Sequence, residues 1–262
     1  MRILSKILLA LLVFVGAWYA LSQIDFMGRW EIDKMTKAQE KKLGDAVWEL
    51  FINDNDIIED SLAQDVIQQL KNRLSPTDTA LASINIFLVD DSQINAFALP
   101  GRQIILYTGL IDFCNDPDEL AGVLAHEMAH IHLDHVVKKL VKEVGLNILV
   151  SLSGDQSGGV IREILKYITS TAFDRAAESE ADVQAVYWLQ QAEIDPEKMA
   201  TFFLRMDREG PALPGIANWI STHPDSKDRA AEIMQTKGKN QQSFSPAMDS
   251  VSWQYLKEVG RF

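Results

Sequence analysis

The chain has 262 residues, 47% of them apolar and 24% charged, with a formal net charge of -12. That length and apolar content suit one large domain or two small ones, and the acidic balance argues against a nucleic-acid partner. The single cysteine, Cys114, excludes an intrachain disulfide. It has no C-x-x-C partner and no cysteine-protease signature around it, so it reads as structural.

Taken in order, the chain opens on Arg2 and Lys6, followed by the uncharged run Ile7–Leu21. The run falls between a signal-peptide core and a membrane span of about 20 residues. Residues 1–25 are therefore expected to be a signal peptide or an N-terminal membrane anchor, and the remainder an exported domain. Val15-Gly16-Ala17 makes a poor cleavage site, and Trp18, Tyr19 and Trp30 resemble interfacial aromatics, which favours the uncleaved anchor. A linker at 26–38 leads to an amphipathic helix at Thr36–Leu50, with Leu43, Val47, Trp48 and Leu50 on its apolar side. Ser61–Leu74 is a second helix, with Leu62, Val66, Ile67 and Leu70 at helical spacing and a stop at Ser75-Pro76.

Three strands follow: Ile84–Val89, Asn95–Leu99 and Gln103–Tyr107. Asp90-Asp91-Ser92 forms a turn between the first two, and Pro100-Gly101 fits the centre of a type II turn. They are expected to form a small antiparallel sheet. A helix at Pro117–Val136 starts cleanly, with Asp116 as N-cap, Pro117 at the first position and Glu119 completing a box-like pattern. Val137–Val150 continues it or bends away, and Ser151–Gly159 is a polar loop. One long helix is expected over Ile161–Gln191, another over Glu197–Glu209, a loop over Gly210–Thr222 and a short helix over Asp225–Met234. A polar tail from Lys237 leads to a last helix at Val251–Val259. The fold class is α+β and predominantly helical, with a domain over 26–236 and a tail at 237–262 packing on it.

The chemistry is carried by His126-Glu127-Met128-Ala129-His130. At about 100° per residue, His126 and His130 share one helix face one turn apart, where two imidazoles can bind one metal ion. Glu127 lies beside them, placed to take a proton from metal-bound water. A catalytic zinc takes three protein ligands, so a third is required. Positions 133 and 136 are Leu and Val, which rules out the metzincin pattern. His135 is turned about 140° from His130 on a regular helix and His132 also faces away, so both read as surface or packing residues.

Glu178 and Asp182 share a helix face at i, i+4 in Arg175-Ala176-Ala177-Glu178-Ser179-Glu180-Ala181-Asp182. Glu178 could supply the third ligand and Asp182 could accept an N–H from a ligating His, while Glu180 points elsewhere into solvent. In Thr222-His223-Pro224, His223 could donate to a developing oxyanion. Arg229 could pair with a Glu or Asp near the site.

These motifs, in this order and together with Asn95-Ala96-Phe97-Ala98-Leu99-Pro100-Gly101, resemble the HtpX and CAAX-prenyl-protease family of zinc metalloendopeptidases over roughly residues 35–235. The resemblance is to the compact single-anchor or periplasmic branch, since the several membrane helices of other members are missing. It implies a zincin-like (gluzincin) core with one Zn2+ held by His126, His130 and Glu178. Glu127 would be the base and His223 a second catalytic residue near the bound substrate, Asp182 would support a ligand, and Asn95 and Arg229 would lie on the substrate side. The strand after Asn95 would border the cleft, where an extended peptide can add as a further strand. The expected function is degradation of misfolded or misassembled envelope proteins, from a site facing the periplasm. The membrane would be met through the N-terminal segment, and a homo-oligomer is left open. The alternatives are a latent protease and a membrane-tethered holding chaperone.

Overall fold

The computed structural model describes residues 37–75, 79–145, 149, 158–209, 216–238 and 243–259. The expected anchor at 1–25 lies outside them, as does most of the loop expected at 151–159. Among the described residues no helix is long and apolar enough to cross a membrane.

Helix α1 (Lys37–Asn53) and helix α2 (Ser61–Leu74) come first. Asp60 caps α2, its carboxylate accepting the N–H of Ala63 at 2.9 Å. The buried stripe of α2 is Ala63, Ile67, Leu70 and Leu74. Leu62, expected on that stripe, is exposed, because it lies about 140° from Ile67 around the helix. The buried Lys71 donates to Ala82 O at 3.2 Å and Ile84 O at 2.7 Å, tying the short helix α3 (Thr79–Ala82) to α2.

The sheet consists of β1 (Asn85–Val89), β2 (Ala96–Leu99) and β3 (Gln103–Tyr107) in the order β1-β3-β2. β2 and β3 form an antiparallel hairpin, Ala96 opposite Leu106 and Leu99 opposite Gln103. Gly101 turns it with φ 77°, a conformation that costs glycine little. β1 pairs with β3 in parallel, from Asn85 opposite Gln103 to Val89 opposite Tyr107. The sheet is therefore mixed, which corrects the antiparallel sheet expected from sequence. Apolar runs separated by turns do not reveal which neighbour a strand pairs with, and here β3 takes the centre, buried along its whole length.

After α4 (Thr108–Phe113) comes α5 (Pro117–His132), the centre of the fold. Asp116 caps α5 and Pro117 opens it, as read from the sequence. Every residue from Glu119 to Ile131 is buried, so α5 is a core helix apolar nearly all round. It ends four residues before the expected Val136, because Asp134 is left-handed (φ 57°) and redirects the chain into α6 (His135–Val144).

The single helix expected over Ile161–Gln191 is two, α7 (Gly158–Ser170) and α8 (Arg175–Gln191). Asp174 makes the break, its carboxylate accepting the Ala177 N–H at 3.0 Å as a new N-cap. Next come α9 (Pro196–Glu209), α10 (Ile216–Thr222) in the expected loop, and α11 (Ser226–Lys237). The last helix is α12 (Ser250–Glu258). β2, α8 and α9 all pack on α5. A Cβ added to Gly122 would lie 2.6 Å from Met199 Cβ, so that glycine lets α9 close on α5. At the start of α5, the Arg205 guanidinium grips Glu119 with two contacts of 2.6 Å. α12 rests on α2 and α4, with Tyr255 donating to Asp60 at 2.7 Å.

Candidate active site

The buried centre of α5 presents His126, Glu127 and His130, none of them exposed to solvent. The Nε2 atoms of His126 and His130 are 3.0 Å apart. Glu178, in the first turn of α8, brings Oε1 to 3.3 Å from His130 Nε2 and Oε2 to 3.6 Å from His126 Nε2. His223, just after α10, places Nδ1 3.4 Å from His126 Nε2 and 3.1 Å from Glu178 Oε1. One donor atom from each of these four side chains lies within 4.8 Å of the others.

This donor set fits a zinc ion. Two ligands at about 2.0–2.1 Å from a tetrahedral ion are themselves about 3.3 Å apart. The 3.0, 3.3 and 3.6 Å separations bracket that value. Two imidazole nitrogens aimed at each other and at a carboxylate need a cation or a proton between them. Burial lowers the pKa of His126, with Arg229 adding to the effect, and lowers that of His130 further, with His126 adding. Neutral imidazole is the form that ligates.

The surrounding residues hold these groups. Asp182 Oδ1 accepts from His126 Nδ1 at 3.0 Å. Arg229 grips Asp182 through Nε and Nη2, at 2.8 and 2.7 Å, and reaches Glu178 Oε2 through Nη1 at 2.5 Å. Burial alone would push the Glu178 and Asp182 carboxyls up. His223 and Arg229 outweigh it at Glu178, and Arg229 at Asp182, so Glu178 ends well below the usual range and Asp182 below it. The Phe173 ring stacks on His130 with centroids 3.9 Å apart.

Glu127 differs from its neighbours. Burial pushes its carboxyl up to about 7, against the pull of His223, and the Glu178 charge adds to the rise. Its Oε1 lies 3.4 Å from His223 Nε2, and the backbone of Ala98 faces it from β2.

Two residues expected on the substrate side are placed in the interior. Arg229, on α11, is buried against Glu178 and Asp182. Asn95, just before β2, is buried, and its Oδ1 meets no hydrogen-bond donor among the described residues. His135, read as a surface or packing residue, has its Nδ1 3.1 Å from His130 Nδ1 and its Nε2 3.3 Å from Glu180 Oε2. The reading from sequence assumed a regular helix through Asp134, and the left-handed residue there swings His135 back toward the site. Phe173 was also missed, since nothing marks a lone aromatic in a polar connection. His135, Lys139, Phe173, Ala177 and Glu180 line a cavity of about 390 Å³ beside the cluster.

The model of peptidase family M48 matches residues 60–237, a region that holds all four converging side chains and Glu127. The chain belongs to peptidase family M48. It is 32% identical over 151 residues to the mitochondrial metalloendopeptidase OMA1 of Schizosaccharomyces pombe, covering 56% of this chain and 45% of that protein. It is 26% identical over 235 residues to the beta-barrel assembly-enhancing protease of Yersinia pestis, covering 84% and 48%. The protein of that name in Escherichia coli is 26% identical over 210 residues, covering 74% and 43%. The chain thus spans about half the length of the curated relatives it matches. The family is one of peptidases, and these relatives carry the names of a metalloendopeptidase and of assembly-enhancing proteases.

Proposed function

We propose that this M48 chain is a zinc-dependent endopeptidase acting on unfolded or misassembled envelope proteins. The observation that carries the proposal is the convergence of His126, His130 and Glu178 beside a buried carboxylate, Glu127, whose pKa is raised to about 7. In this reading His126, His130 and Glu178 hold one zinc ion, which when bound supplies positive charge that polarises a peptide carbonyl and acidifies water.

Glu127 takes the proton of the attacking water and later hands it to the leaving amine. A base whose pKa lies near 7 suits both transfers at neutral pH. Asp182 fixes the tautomer of His126, and Arg229 holds Asp182 and Glu178 in place. β2 is an edge strand packed on α5, and its residues are buried, so an extended polypeptide could add beside it once the covering groups move away. Such a mode favours chains that are already unfolded. The relatives named as assembly-enhancing proteases and the apolar segment at 7–21 support an exported enzyme tethered to a membrane by residues 1–25.

A closed, latent form is the second reading. It is favoured by the zero exposure of Glu127 and by His223 Nδ1 lying at ligand distance from the cluster. Opening would then move His223 aside, and the same ring would be free to donate to the developing oxyanion.

The test is metal content and cleavage of unfolded casein for the intact chain and for Glu178→Gln. One zinc per chain with cleavage, and loss of both in the variant, supports the proposal. A folded intact chain with no zinc overturns it. One zinc per chain without cleavage supports the latent reading.

A further inference from the structure

We propose that His135 is a positioning residue for His130, part of a relay Glu180–His135–His130 that fixes the tautomer and aim of one ligand. The proposal rests on the zinc-site reading above and extends it to residues outside the His-Glu-x-x-His motif.

The chain geometry makes the relay possible. α5 ends at His132, Asp134 is left-handed, and α6 begins at His135. The turn folds the His135 ring back over the end of α5. Its Nδ1 then lies 3.1 Å from His130 Nδ1, and its Nε2 lies 3.3 Å from Glu180 Oε2 on α8. The His135 ring is buried and the Glu180 carboxylate is 60% exposed, so the relay runs from the metal cluster to the wall of the 390 Å³ cavity.

Proton bookkeeping then fixes the roles. A neutral imidazole has one N–H and one lone pair. With a zinc ion held as proposed above, His130 Nε2, which faces His126 Nε2 and Glu178, presents its lone pair to the ion. The proton of His130 is therefore on Nδ1, and it points at His135. His135 Nδ1 must accept it, which puts the His135 proton on Nε2, facing the Glu180 carboxylate. Each assignment forces the next, and the carboxylate anchors the end.

His126 is held differently, by Asp182 directly at 3.0 Å. A ligating histidine commonly gives its second N–H to a carboxylate, a carbonyl or water. Here one ligand has a buried carboxylate, and the other has an imidazole backed by an exposed one. Phe173 stacks on the His130 ring and fixes its plane, but stacking cannot choose a tautomer. If His135 only filled space, an apolar ring would serve as well.

The test uses the full zinc-loaded chain. Imidazole 15N shifts should show His130 protonated at Nδ1 and His135 protonated at Nε2 with Nδ1 bare. His135→Phe keeps a ring but no acceptor, and competition with a chromophoric chelator should show zinc affinity about 10–100-fold weaker. His135→Asn, which offers an amide oxygen near the place of Nδ1, should recover to within roughly tenfold of the native chain.

His135 protonated at Nδ1 would overturn the relay, and so would His135→Phe binding zinc within about twofold of the native chain. If His135→Phe does not fold, the 15N assignment in the native chain decides alone. A native chain that binds no zinc would overturn the metal-site reading and this assignment with it. Normal native binding with an unaffected His135→Phe would overturn the relay only.

Discussion

Arg229→Met should destabilise the metal-free protein more than any surface change. In the native chain the guanidinium holds both oxygens of Asp182, at 2.8 and 2.7 Å, and one oxygen of Glu178 at 2.5 Å. Both carboxylates are only 2% exposed. Removing the cation leaves two buried anions without it, and breaking a buried pair in this way costs about 3–5 kcal/mol. A whole domain is stable by only about 5–15 kcal/mol. In urea, with a slope of about 2–3 kcal/mol/M, the midpoint should fall by roughly 1–2.5 M at unchanged slope.

Arg229→Lys should recover only part of this, since a point charge cannot span both carboxylates as the planar fork does. The pH dependence has a definite sign. The two carboxyls are held below their ordinary values of 3.8 and 4.5, so their contribution is present above those values and lost as pH falls through the lower folded ones. The gap between native and variant should therefore narrow in acid. A midpoint shift below about 0.4 M at neutral pH, equivalent to about 1 kcal/mol, would refute the reasoning.

Three further outcomes follow from other contacts. Gly44→Ala should destabilise by about 1–3 kcal/mol, because the new Cβ would sit 2.4 Å from Pro100 O and 2.6 Å from Gly101 Cα, backbone atoms that cannot rotate away. Helix propensity alone predicts a gain of about 1 kcal/mol, so the sign of the urea shift decides whether α1 lies against the β2–β3 turn. Asp182→Asn should weaken zinc binding by about 10–100-fold in chelator competition, and a change under about twofold would show that His126 is oriented by something else. Burial lowers the Lys139 amine to about 8, so charging it costs stability below that pH, and the cost disappears as pH rises toward the ordinary lysine range. The urea midpoint of the native chain should therefore rise relative to Lys139→Met between about pH 8 and 10.4, whereas parallel curves would contradict this.

Elements with local signals were legible in the sequence. Asp116-Pro117 marks the start of α5, and Gln103–Tyr107 is β3 with the expected bounds. The His126, Glu127 and His130 spacing and the Glu178, Asp182 pair are each set by helical periodicity, so their faces could be read before their partners were known. What depends on a single backbone residue was not legible. Asp134 in the left-handed region ends α5 early and turns His135 toward His130, and Asp174 used as a cap splits a helix that apolar periodicity joins. Strand pairing was hidden for another reason. A parallel partner for β1 is chosen by how the chain crosses over between 90 and 95, not by the alternation within β1. Arg229 was legible as a partner for acids, but its burial behind them was not, because the packing of α11 with α8 and α9 brings it to the site.

The proposed mechanism stands on Glu127 acting as the base of a zinc peptidase. It is tested most directly by casein cleavage and zinc content for the intact chain and for Glu127→Gln. Both proteins should bind one zinc per chain, the native chain should cleave, and the variant should lose cleavage by at least about 100-fold, the lower end for loss of a general base. A variant that binds zinc and still cleaves at the native rate would exclude Glu127 as the base.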